Sequence, residues 1–205
     1  PEKVAKIQAA IAGWNCPELA LVHTDTDTID ADGVIRPVRR PGLHADAGVD
    51  RAAYRWLFHR NLISNPSIAL RRDAFLAIGG FDPALPLEDI DCWLRLSARH
   101  AIARLPETLA SYRKHPGNSL RQRRKMLGAF FLTYAKFIDL HPGLIDDDAL
   151  RRHFRRNLRR YWTRIRDDDR GDLPQVIASF LRSYLRTPGA GDYRRFGQRL
   201  LNAAN

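Results

Sequence analysis

With 205 residues, 44% apolar and 28% charged, the chain is neither disordered nor collagen-like in composition, and it is long enough for one domain with a core or a small domain with an appendage. No stretch nears the roughly 20 consecutive apolar residues that span a bilayer, the opening residues lack a basic-then-apolar leader pattern, and Cys16 and Cys92 lie too far apart for a zinc site, so a reducing, cytoplasmic setting is expected. The net charge of +11 is lopsided: residues 1–110 hold 13 Lys and Arg against 14 Asp and Glu, whereas 111–205 hold 21 against 9, which points to an anionic partner for the second half.

In chain order, Val4, Ile7, Ala10 and Ile11 recur at helical spacing and predict a short amphipathic helix over 2–13. The apolar run 19–23, the alternating Thr and Asp of 24–29, the turn Ala31-Asp32-Gly33 and the return run 34–38 predict strands joined by an Asp-Gly turn. Residues 39–49, rich in Arg, Pro, Gly and Ala, predict a surface loop. A helical turn or two over 72–78 should stop at Gly79-Gly80, and a second helix should run over 87–99 with Leu87, Ile90, Trp93 or Leu94, and Ala98 as its buried stripe. Short strands are expected over 101–105 and 108–112, around Pro106. From residue 121 the pattern is helical, with four stripes: Phe130, Phe131, Tyr134 and Phe137; then Leu150, Phe154, Leu158, Trp162 and Ile165; then Val176, Ile177, Phe180, Leu181 and Tyr184; and a shorter one at Tyr193, Phe196 and Leu200. A domain boundary therefore falls near residue 120.

Chemistry concentrates in Gly79-Gly80-Phe81-Asp82-Pro83, followed by Leu87-Glu88-Asp89-Ile90-Asp91-Cys92-Trp93-Leu94-Arg95. Three carboxylates fall where a helix begins, so its dipole favours their ionised form, and an ionised carboxylate there could take a proton from a bound hydroxyl. By spacing alone the cluster also reads as an ordinary solvated helix start, with Asp91 and Arg95 an (i, i+4) pair.

Four linked stretches decide between these readings. Residues 65–72, the Gly-Gly-Phe-Asp turn, the Glu-Asp-Ile-Asp helix with its Trp-Leu-Arg-Leu continuation, and Tyr112-Arg113-Lys114-His115-Pro116-Gly117-Asn118 occur in the order and at spacings similar to those of family 2 glycosyltransferases. The resemblance covers residues 1–120. It implies the C-terminal part of a GT-A (Rossmann-like) α/β nucleotide-diphospho-sugar transferase domain, followed by a mainly α-helical basic extension over 121–205.

The resemblance further implies an inverting transfer from a nucleotide-sugar donor to a sugar, lipid-linked or protein acceptor, in glycan, glycolipid or polysaccharide synthesis. Asp89 takes the place of the family's general base, with Glu88 as its neighbour. Gly79, Gly80, Phe81 and Asp82 would shape the acceptor pocket, the glycines allowing close backbone approach. Asp91 and Trp93 share the helix and are candidate acceptor contacts, although a tryptophan in a helical stripe commonly belongs to the core. Arg113 would face the donor diphosphate. His115 resembles the histidine that approaches a diphosphate-bound metal, Mn or Mg, in some GT-A enzymes; its other reading is a solvated turn histidine.

His23-Thr24-Asp25-Thr26-Asp27 imitates the Asp-x-Asp metal motif, but in the family that motif stands just before a Pro-Glu-Lys and a helix, and this chain opens with Pro1-Glu2-Lys3. The principal metal ligands are therefore expected upstream of Pro1, and Asp25 and Asp27 on the following strand. An EF-hand is excluded because Ile29 and Val34 occupy positions that need oxygen donors. The chain starts without a Met, carries Met126 alone, and is expected to be a piece of a longer enzyme, inactive by itself. The arginines of 151–160 read as a solvated basic helix or as a surface for an anionic bilayer at the inner face of the membrane. Nucleic acid is not expected, since no recognised module or aromatic platform accompanies the charge. The alternative to a transferase is a non-enzymatic basic helical module.

Overall fold

The computed structural model describes residues 2–30, 32–36, 47–114, 123–165 and 173–202. It is a mixed α/β structure that divides into two compact units, Pro1–Asp82 with Cys92–Asn118, and Pro83–Asp91 with Ser119–Asn205.

The first unit is built on an open mixed sheet. Strand β1 (Leu19–Ile29) lies parallel to β5 (Ala101–Arg113), and on its other edge it pairs antiparallel with β2 (Ile35–Arg36) near its end and with β4 (Ile68–Leu70) near its start. Strand β3 (Gly48–Asp50) runs antiparallel to β5. Residues Leu19 to Thr24 are all buried, the continuous run expected of a strand covered on both faces. Helix α1 (Glu2–Trp14) contributes Ile7 to a core of Leu19, Val22, Ala101 and Ala103, whereas Val4 and Ile11, two members of its expected stripe, face outward.

The hairpin of β1 and β2 follows the Asp-Gly signal: Gly33 has φ of +85°, and Asp30 accepts hydrogen bonds from the backbone N–H of Asp32 and Val34. Three expectations change. Residues 48 and 49 of the expected loop belong to β3. The two strands expected around Pro106 are one, because the ladder steps from Thr24–Leu105 to Asp25–Thr108 and leaves Pro106 and Glu107 as a bulge, where a residue without an N–H is tolerated. Helix α2 (Tyr54–His59) and the 3-10 turn Asn65–Ser67 add elements that no period announced.

Helix α3 (Arg72–Ala77) ends as its glycines require. Gly79 N–H reaches Leu76 O at 3.0 Å and Gly80 N–H reaches Phe75 O at 3.0 Å, the paired bonds of a Schellman stop, with φ of +83° and +70°. Helix α4 (Glu88–Ser97) follows, buried all round from Ile90 to Ser97, so the single stripe expected of it understates its burial.

The second unit holds α5 (Arg123–Leu140), α6 (Asp147–Ile165), α7 (Leu173–Leu185) and α8 (Ala190–Asn202). Phe131 is the hub of its aromatic core, with ring centroids 5.7 Å from Phe154, 5.7 Å from Tyr193 and 4.8 Å from Phe196. His153 and Asn157, inside the arginine run, are buried rather than solvated. Asn157 Nδ2 lies 2.9 Å from His153 Nε2, His153 Nδ1 lies 2.9 Å from the Tyr193 hydroxyl, and that hydroxyl donates to Leu150 O. Because the amide donates to Nε2, the imidazole proton sits on Nδ1.

The stripe expected on α7 is also corrected. Ile177, Leu181 and Tyr184 are 50–62% exposed, while Ser179 and Ser183 are buried in their place. Arg155 explains the exchange: it donates to Ser183 Oγ and O at 3.1 and 2.6 Å, and its guanidinium lies 3.6 Å from the Tyr184 ring centroid.

Helices α5 and α8 cross at Gly128 and Gly197, where a Cβ on Gly197 would stand 2.9 Å from Gly128 O and one on Gly128 would stand 3.0 Å from Gly197 O. A backbone oxygen cannot swing aside as a side chain can. Gly197→Ala should therefore destabilise the protein by about 1–3 kcal/mol in urea unfolding, against a few tenths for Gly191→Ala on the same helix, whose Cβ meets nothing within 4 Å.

Candidate active site

The start of α4 gives its three carboxylates different surroundings. Glu88 is exposed, Asp89 is half-buried and Asp91 is 1% exposed. The carboxylate of Asp91 is held by Lys136 of α5, with Nζ 2.9 Å from Oδ1 and 3.0 Å from Oδ2. Asp89 accepts a 2.7 Å hydrogen bond from the N–H of Ile90, and among the described residues no cation pairs with it.

Burial raises the pKa of Asp89 above the usual aspartate range, and the charge of Glu88 adds to this, outweighing the Ile90 N–H that pulls the other way. The position of Asp89 at a helix start argues for the opposite shift. Desolvation outweighs that effect here.

In the first unit, the glycine turn is fixed by a residue whose role the (i, i+4) reading missed. Arg95 is 8% exposed, and its guanidinium donates to Ile78 O at 2.5 Å and Gly80 O at 2.7 Å, tying the end of α3 to α4. Phe81 packs edge-on against Phe75 at 5.0 Å and Trp93 at 6.1 Å and keeps 41% of its surface exposed. Both glycines hold positive φ, and the protein leaves the space beside them largely open: a Cβ on Gly79 meets nothing within 4 Å, and one on Gly80 meets only the edge of Phe75 at 3.4 Å. Asp82 is half-buried beside the turn.

Two expected acceptor contacts are closed off. Trp93 is 0% exposed, a core residue whose Nε1 meets no acceptor among the described residues, and Asp91 is buried against Lys136. Arg113 lies at the end of β5, exposed, donating to Asp30 O at 3.2 Å beside the hairpin turn. His115 lies outside the described residues.

Asp25 is engaged by Arg104 across the parallel strands, Nε to Oδ1 at 3.0 Å and Nη2 to Oδ2 at 2.7 Å, a two-pronged bond that occupies both carboxylate oxygens. Beside it His23 is buried without a hydrogen-bond partner among the described residues, 6.1 Å from the Trp56 ring. Burial, helped by the charge of Arg104, lowers its pKa to about 4, so the folded state keeps it neutral and loses stability as pH falls from 6.5 towards that value. Among the described residues no group of three His, Cys, Asp or Glu could hold a metal ion; the principal ligands of the divalent ion that the resemblance implies are expected upstream of Pro1. Compared with models of known protein families and with curated protein sequences, the chain matches none.

The turn depends on Arg95, and cutting its guanidinium leaves two carbonyls short of charged donors. Arg95→Met should destabilise the protein by about 3 kcal/mol or more in urea unfolding; a loss below about 1 kcal/mol would mean that the turn holds without it.

Proposed function

We propose that this chain carries the acceptor side of an inverting family 2 glycosyltransferase of GT-A fold, with Asp89 as the general base. The reading rests on one contrast along α4. Asp91 is neutralised by Lys136 and Glu88 is solvated, whereas Asp89 is half-buried, has no cation partner among the described residues and holds a raised pKa. A carboxylate in that state is a stronger proton acceptor than an ordinary aspartate.

In the reaction so assigned, an acceptor hydroxyl oxygen attacks the anomeric carbon of a nucleotide-sugar and its proton passes to Asp89. The bond from that carbon to the diphosphate breaks, and the nucleoside diphosphate leaves with the electron pair. Glu88 raises the basicity of Asp89 through its charge. Phe81, exposed beside the glycine turn, offers an apolar face of the kind that packs on a sugar ring. A divalent ion bound to the diphosphate would stabilise the leaving group, and its ligands, like the donor site, are assigned to residues outside those described.

A second reading, the basic helical module, is favoured by α7. Its exposed Ile177, Leu181, Tyr184 and Leu185 form an apolar face on a unit rich in arginine, the combination that lays a helix on an anionic bilayer. The two readings are compatible, since a transferase with a lipid-linked acceptor works at such a surface.

The decisive variant is Asp89→Asn, made in the polypeptide that carries this chain in its natural context. Nucleoside diphosphate release in the presence of acceptor should fall by roughly a thousandfold, with donor affinity by calorimetry unchanged. Turnover within an order of magnitude of the wild type would remove Asp89 as the base.

A further inference from the structure

The stretch of chain that carries Asp89 belongs with the helices rather than with the sheet: residues 83–91 fall in the second unit, together with α5 to α8. Its helical turn has two sides. Leu87, Ile90 and Asp91 stand at i, i+3 and i+4 and are 6%, 3% and 1% exposed, whereas Glu88 is exposed and Asp89 half-buried. The turn closes through the N–H of Asp91, which donates to Leu87 O at 3.1 Å.

One member of the buried side is charged. Asp91 receives Lys136 of α5, 45 residues along the chain, with Nζ 2.9 Å from one carboxylate oxygen and 3.0 Å from the other. A buried carboxylate is costly unless it is paired, and an apolar pair of similar volume commonly serves stability as well. What the ion pair adds is direction, because an ammonium shared by both oxygens fixes where the carboxylate and the turn that bears it stand. Asp89 is coupled to the same turn, since its Oδ1 accepts the N–H of Ile90 at 2.7 Å. A general base works only within hydrogen-bonding reach of its proton, and productive geometry tolerates displacements of about 0.5 Å.

We propose that Lys136 is a positioning residue for Asp89: through Asp91 it fixes the first turn of α4, and with it the place from which Asp89 takes the acceptor proton. The inference rests on the assignment of Asp89 as the base. It makes α5, in the basic helical part of the chain, a working component of the acceptor side rather than an appendage.

The test uses a variant that leaves no buried ion unpaired, Asp91→Asn with Lys136→Met, which removes both charges and spares the fold the cost of a lone one. Hydrogen exchange in the 205-residue chain reads the turn without any reaction. The Ile90 amide should exchange roughly tenfold faster in the double variant, with the Phe131 amide in the core of the same unit little changed. Acceleration at Ile90 no greater than at Phe131 would make the pair a source of global stability alone and overturn the proposal. In the polypeptide that carries this chain in its natural context, kcat of the double variant should fall by about tenfold or more with donor affinity unchanged. Lys136→Arg, which keeps a charged donor, should stay within about threefold of the wild type in both readouts. Wild-type kcat in the double variant, beside a loss in Asp89→Asn, would overturn the positioning role and leave the base standing. Full turnover in Asp89→Asn would remove the base, and the proposal with it.

Discussion

The guanidinium of Arg95 is the constraint on which the candidate site most depends. A helix that stops in two successive left-handed glycines leaves carbonyls without intrahelical partners, and here Ile78 O and Gly80 O are both taken by one buried arginine from the next helix. The turn is thereby pinned within the first unit. At the other end of the same helix, Asp91 is pinned by Lys136. Asp89, just before Asp91 in the second unit, has no cation partner among the described residues. The chemistry proposed for it follows from that difference rather than from the number of acidic residues nearby.

The elements with a strong period could be read directly. Helices α1, α3 and α4, the β1–β2 hairpin and the four helices of the second unit follow from apolar spacing and from glycine punctuation. Strands β3 and β4 could not be read, because three residues carry no period and their pairing partners lie far along the chain. Pro106 suggested a break where the structure has a bulge, since the ladder resumes at Thr108. On α7 the sequence shows an apolar stripe but not what lies against it. Arg155 takes the serine side, and the apolar side is left exposed.

The site shows the same division. That a Gly-Gly turn and an acidic helix start adjoin in sequence was plain, and so was the order of the four motifs. Which carboxylate differs from its neighbours was not, because the difference comes from burial and from the distant Lys136. The helix dipole carries the wrong sign for Asp89, and only the charge of the adjacent Glu88 points locally the right way. Arg95 was hidden for a related reason: its spacing from Asp91 offers a local partner, while the bonds that matter reach back 15 and 17 residues.

The central claim is that the Asp89 carboxylate, raised by burial and by Glu88, takes the acceptor proton. It is tested most directly by the pH dependence of transfer in the polypeptide that carries this chain, compared with its Glu88→Gln variant. Removing the Glu88 charge lowers the pKa of Asp89, so the acid limb of the rate profile should move to lower pH while the neutral-pH plateau survives. An acid limb that stays in place when Glu88 is neutralised would contradict the account.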